Sequence, residues 1–192
     1  MDVDSETRDD IWILPLDLKD PDRPKPGQPQ AFLRTSSREL FPAFSPDGRW
    51  IAHISDVSGR QDVYVRPADN GSATGPQWQI PTMGSGAFSP VWSRDGRELF
   101  FVALAASGPR LMAVDVAVRD SAFVSGTPRV WADVSTFRSP LGSIPFDVHP
   151  DGKRVAIFPA ETTGAPSASG SVHVDVLLNF FDGLRRRVPV GK

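Results

Sequence analysis

The phrase "SPDG", inside "FSPDGRWIAHIS" at Phe44 to Ser55, returns in altered form in "WSRDGRELFFVAL" from Trp92 and in "VHPDGKRVAIFPA" from Val148. Self-similarity on this scale constrains the architecture before any single residue is weighed. Asp47 and Asp95 are 48 positions apart, and Asp95 and Asp151 are 56 apart. Each phrase reads as a hairpin turn. Pro46 and Pro150 preset φ for the first corner, and Asp47, Asp95 and Asp151 can bond neighbouring backbone N–H groups. Gly48, Gly96 and Gly152 then accept the positive φ that closes the turn.

Apolar runs flank every turn. A short strand precedes it, "PAF" at Pro42 to Phe44, "PVW" at Pro90 to Trp92 and "PFDV" at Pro145 to Val148. In the strand that follows the first turn, Trp50, Ala52 and Ile54 point one way and Ile51 and His53 the other, whereas "ELFFVAL" and "RVAIFPA" are apolar on both faces. A strand with two apolar faces must be covered on both, so each small sheet is expected to lie between sheets like itself. Third runs follow as "DVYVRPA", "RLMAVDV" and "SVHVDVLLNF", and fourth runs as "QWQIPT" and "PRVWAD". Four short antiparallel strands per unit, radially repeated, make an all-β propeller.

The chain opens in the middle of a unit, since "DIWILPLD" resembles a third strand and "AFLRTS" a fourth. The expected whole is a partial β-propeller of about three and a half four-stranded blades: residues 1–40 a partial blade, 41–86 and 87–136 full blades, and 137–192 the last blade with a short C-terminal helix. That helix is read from Leu177, Phe181, Leu184 and Val188 at intervals of four, three and four, with Asn179 as its N-cap. The proline-rich "KDPDRPKPGQPQ" is expected to be an extended surface loop, and "ETTGAPSASGS" a loose one. Trp12, Trp50, Tyr64, Trp78, Trp92, Phe100, Phe101 and Trp131 are expected to pack between blades.

Composition narrows function mostly by exclusion. A net charge of -2 with mixed signs gives no basic field for nucleic acid. No apolar run is long enough to span a bilayer, and the acidic "MDVDSETRDD" does not read as an export signal, so the default compartment is the cytoplasm. Cysteine is absent, which removes disulfides and thiolate chemistry. His53, His149 and His173 lack metal-ligand spacing, no serine sits in G-x-S-x-G, and the turn aspartates precede glycine as turn geometry alone demands. No catalytic residue, metal site or cofactor site is read from the sequence.

"FSPDGRWIAHISDVSGRQDVYVRP" resembles the repeat of TolB-type, WD40-like β-propellers over about residues 10 to 180, with Arg94 replacing the phrase's proline and His149 its serine. "GPRLMAVDV", the "GTPR" turn at Gly126 to Arg129 and the ending "VDVLLNFFDGLRRRV" are similar to the C-terminal propellers of bacterial eukaryotic-like serine/threonine kinases. No kinase catalytic phrase occurs in the chain. The resemblance implies a non-catalytic propeller segment for protein or ligand recognition. Candidate binding loops are Asp56 to Gln61, with Asp56, Ser58, Arg60 and Gln61, and Ala105 to Arg110 with Arg110. The remainder of its own propeller, or a second copy, is expected to complete the ring. Alternatives are a metal-dependent or lactonase-like hydrolytic propeller, and a TolB-like periplasmic scaffold.

Overall fold

A computed structural model describes residues 8–68, 75–82, 86–119, 122–135 and 145–157. All of the regular structure among them is β. The strands are β1 (Ile11–Ile13), β2 (Leu16–Asp17), β3 (Lys25–Pro26), β4 (Gln30–Leu33), β5 (Glu39–Phe44), β6 (Trp50–Ser55), β7 (Asp62–Pro67) and β8 (Trp78–Gln79). They continue as β9 (Ala87–Trp92), β10 (Glu98–Ala105), β11 (Gly108–Arg119), β12 (Ala122–Ser125), β13 (Arg129–Asp133), β14 (Phe146–Val148) and β15 (Val155–Ile157).

Neighbouring strands pair antiparallel and mostly in chain order. The first full blade runs β5-β6-β7-β8, the second β9-β10-β11-β13, and β14-β15 begins a third. Ahead of them β1 pairs with β4 as half a blade. The sheets stack face to face. Ala52, Ile54, Val63 and Val65 of the first blade share one core with Leu99, Phe101, Met112 and Val114 of the second. Phe100, Leu111 and Ala113 turn the other way, against Phe146, Val148, Val155 and Ile157. Ile51 packs instead on Ile11, Phe32 and Leu33 of the half-blade. The alternation along each strand thus divides its side chains between two neighbouring sheets. This series of stacked antiparallel sheets is the partial propeller that the repeat predicts.

Several elements differ from the sequence reading. The strands before the first two turns are six residues long, because Glu39–Phe44 and Ala87–Trp92 pair beyond the prolines through a bulge. At that bulge Phe41 and Ser89, each directly before a proline, take φ of 52° and 53°. Positive φ is uncommon for residues with a side chain, and here it is confined to the extra residue of each bulge. The second blade carries a fifth strand, since β11 continues past the sheet and pairs with β12 as an outward hairpin. Part of the proline-rich stretch is also paired, Lys25–Pro26 lying against Leu16–Asp17 in a short exposed ladder. Trp12 is exposed, because no sheet covers its side of β1 among the described residues. The C-terminal helix, "SVHVDVLLNF", His173 and the "ETTGAPSASGS" loop lie outside the described residues.

Candidate functional site

The three aspartate-glycine turns stand between the first two strands of successive blades. In the first, Ser45 Oγ donates to Asp47 Oδ1 at 2.6 Å, the Arg49 amide to the same oxygen at 3.1 Å, and Arg49 Nε to Asp47 Oδ2 at 2.7 Å. Ser45 Oγ in turn accepts the Trp50 amide at 3.0 Å. The second turn repeats this with Ser93 Oγ on Asp95 Oδ1 at 2.7 Å and the Arg97 amide at 3.1 Å, although Arg94 stands where the first has proline. In the third, the Lys153 amide donates to Asp151 Oδ1 at 2.9 Å, and His149 Nδ1 accepts the Asp151 amide at 3.2 Å. Gly48, Gly96 and Gly152 have φ of 70°, 69° and 65°, in the left-handed region where a side chain is strained. Gly48→Ala has free space for its methyl, so its expected cost is the backbone strain of about 1 kcal/mol, read by urea unfolding.

These bonds fix the protonation of the turn. The Ser45 hydroxyl, with Arg49, holds Asp47 down from its ordinary 3.8 to about 2. Ser93 and the Arg97 amide lower Asp95, and the Lys153 amide with His149 and Arg154 lowers Asp151. Each carboxylate is charged near neutrality and already engaged as an acceptor. Because the folded value of Asp47 is depressed, its contribution to stability is complete above pH 3.8 and is lost as pH falls through about 2. Ser45→Ala is expected to return the Asp47 titration toward 3.8, as read by carbon NMR of the carboxyl group. An unchanged titration would show that the serine does not set it.

Successive turns frame two grooves. One, of about 490 Å3, lies between the first and second turns, with Asp47, Arg49 and Asp95 on its walls and Trp50, Trp92 and Phe123 among its apolar lining. Phe123 comes from the β11–β12 hairpin, which reaches back over the first blade. Its ring centroid is 5.5 Å from Trp50, 6.1 Å from Trp78 and 6.2 Å from Trp92. Trp92 Nε1 donates to the Ala43 carbonyl at 3.0 Å and ties the two inner strands together. A second groove, of about 580 Å3, lies between the second and third turns and is lined by Arg94, Glu98, His149 and Lys153.

The candidate loops read from the sequence stand at the opposite end of the same strands. Asp56 accepts the Arg38 amide at 2.8 Å and Arg8 Nη1 at 3.1 Å. Ser58 Oγ and Arg60 Nε both donate to Asp62 Oδ2, at 2.8 and 3.0 Å. The Gln61 carbonyl accepts the Ala87 amide at 2.8 Å, and Arg110 pairs with Asp133 at 2.8 Å. Ser58→Ala is expected to cost about 1 kcal/mol in urea unfolding, since it removes a donor to a buried carboxylate.

Two groups emerge only from the structure. Asp62, fully buried, accepts from Ser58, Arg60, Gln79 and Thr82. Burial pushes its carboxyl up, but the bonds from Thr82, Arg60 and Ser58 outweigh this and hold it below the usual carboxylate range. His53 Nε2 lies 3.4 Å from Glu39 Oε2, both side chains buried, while Glu39 Oε1 accepts from Thr35 Oγ1 at 2.9 Å and Ser55 Oγ at 3.2 Å. Asp62 opens the third run of its unit and His53 lies in the strand after the first turn, whereas Glu39 precedes the repeated phrase. Among the described residues, no group of three or more His, Asp or Glu side chains is placed to hold a metal ion.

No protein-family model and no curated protein matches the chain. Among solved structures, one named as TolB from Agrobacterium tumefaciens is similar over 69% of this chain and 47% of its own, at 22% identity and a TM-score of 0.45. TolB from Acinetobacter baumannii is similar over 70% and 41%, at 16% identity and a TM-score of 0.40. One named as a 6-phosphogluconolactonase from Bacteroides uniformis is similar over 78% and 40%, at 20% identity and a TM-score of 0.48. The chain spans less than half the length of each.

Proposed function

We propose that this chain is a non-catalytic β-propeller segment that works by recognition, and that it presents the end formed by its aspartate-glycine turns to a protein or a small ligand. The observation that carries this reading is the first groove, a concave site with an aromatic lining and charged walls. Its carboxylates are held ionised by the turns, so they serve as fixed acceptors and orient a ligand without having to be rearranged. Exposed guanidinium and ammonium groups of Arg49, Arg94 and Lys153 supply donors at the rims of both grooves. The loops Asp56 to Gln61 and Ala105 to Arg110 form a second candidate face at the far end. The tail's similarity to kinase-associated propellers supports a place at the C-terminal end of a larger signalling protein such as a bacterial serine/threonine kinase.

The test is an amide chemical-shift map of the chain titrated with defined peptide and metabolite mixtures. Changes clustered at residues 45–50, 92–97 and 116–118 and at Phe123 are expected. Arg49→Gln is then expected to weaken the binding found by about tenfold, a loss of about 1.4 kcal/mol, while costing less than about 1 kcal/mol in unfolding through its exposed pair with Asp47. Changes confined to residues 56–61 and 105–110 would move the site to the other end. Turnover of a lactone or ester by purified chain would contradict the non-catalytic reading outright.

A further inference from the structure

The two turns that wall the first groove bond alike through Oδ1 and differently through Oδ2. In the first turn both oxygens of Asp47 are taken, Oδ1 by Ser45 and the Arg49 amide and Oδ2 by Arg49 Nε. The terminal Nη groups of Arg49 make no hydrogen bond among the described residues, so this wall offers donors. In the second turn Ser93 and the Arg97 amide hold Asp95 Oδ1, but the Arg97 guanidinium does not close on the carboxylate as that of Arg49 does. No side chain bonds to Asp95 Oδ2 among the described residues, so this wall offers an acceptor.

Between donor and acceptor lie Trp50, Trp92 and Phe123. The two turns stand on stacked sheets, which pack about 10 Å apart. A free amino acid carries both of its charged groups on one carbon and is too short to span that gap. A ligand that meets both walls needs a carbonyl or similar acceptor at one end, an apolar stem, and a cation at the other.

We infer that the first groove binds a lysine side chain of an extended segment of a partner protein, a reading that rests on the recognition role proposed for this groove and adds the chemistry of its ligand. The lysine's own carbonyl accepts from Arg49, its four-carbon stem lies along the aromatic lining, and its ammonium donates to Asp95 Oδ2. Arginine suits the site less well, because a guanidinium pairs best with two carboxylate oxygens and Ser93 and the Arg97 amide already occupy one. Charge complementarity of this kind favours a basic segment over a neutral or acidic one.

The probes are capped peptides Ala-Ala-X-Ala-Ala, with X lysine, arginine, glutamine or glutamate, titrated into the full chain and followed by amide chemical shifts. The lysine peptide is expected to move residues 45–50 and 92–97, to bind at least about tenfold more tightly than the glutamine peptide, and to weaken as salt is raised. Asp95→Asn keeps Oδ1 as acceptor for Ser93 and Arg97, and so the turn, and is expected to bring the two peptides to equal affinity. Without any variant, Overhauser cross-peaks from the lysine ε-methylene protons to the Trp92 and Phe123 rings are expected. A glutamine, glutamate or arginine peptide that binds the same residues as tightly overturns the inference and leaves the groove as a recognition site. Shifts confined to residues 148–153 overturn it in favour of the second groove. No shift at the first groove with any peptide or metabolite mixture removes both the inference and the recognition role.

Discussion

Replacing Asp62 with alanine lowers the stability of the chain by about 3 kcal/mol in equilibrium urea unfolding, the cost of losing the hydrogen bonds made to a buried carboxylate. The carboxylate is fully buried at the start of β7 and joins the β6–β7 hairpin to the strand that follows, through Ser58 and Arg60 on one side and Gln79 and Thr82 on the other. Alanine leaves the buried Thr82 hydroxyl without this acceptor and strips Ser58, Arg60 and Gln79, which are exposed, of the carboxylate that holds them together. Asp62→Asn keeps the shape and part of the bonding, so it costs less. The same group gives the stability curve a pH dependence whose sign is fixed. Its folded value lies below 3.8, so the contribution is complete above that pH and is lost as pH falls through the folded value. In Asp62→Asn this component of acid destabilisation disappears. Equal acid sensitivity in the variant and the parent chain would remove Asp62 from the account.

The second large effect is expected at Phe123. Truncation to alanine costs about 3 kcal/mol, at the low end for a buried aromatic ring because the hairpin that carries it stands at the edge of the sheet. The ring has no neighbours of comparable size in its own hairpin, and it meets three tryptophans instead, two on the first blade and one on the second. Its loss therefore weakens the contact between blades more than either sheet. Phe123→Leu retains much of the buried area and is expected to cost less than half as much. A double-mutant cycle between Phe123→Ala and Trp50→Phe should give a coupling energy of about 0.5–1.5 kcal/mol, as aromatic pairs do. Additive effects would place the ring in solvent and not between the blades.

Much of the fold was legible because the repeat carries its own turn chemistry. Pro46, Asp47 and Gly48 announce a hairpin, and Trp50, Ile51 and Ala52 after it alternate between two apolar environments, which implies sheets on both sides. The position of the turns and the division of each strand between two cores follow from those residues alone. The β11–β12 hairpin was not legible, since "DVAVRDSAFVSG" has strand-like alternation but nothing that separates a fifth strand from a long connection. The burial of Trp12 was expected from its match to core tryptophans. Its exposure reflects what lies beside it in space, and no local pattern encodes that. The site is the less legible part. The turn aspartates were read as structural, which their bonds support, but the grooves arise between turns 48 and 56 residues apart and need the stacking before they exist. Asp62 carried only the faint signal of its match to Asp10 in "DIWILPLD", and Glu39 none, because each draws its partners from several segments that only the fold brings together.

Successive blades stack face to face and so bring the turns together around the first groove. A nuclear Overhauser spectrum tests it most directly. Cross-peaks are predicted from the Phe123 ring protons to the indole protons of Trp50, Trp78 and Trp92, whose ring centroids lie within 5.5 to 6.2 Å. Cross-peaks from Phe123 confined to its own β11–β12 hairpin, with none to the first blade, would contradict the stack and with it the groove.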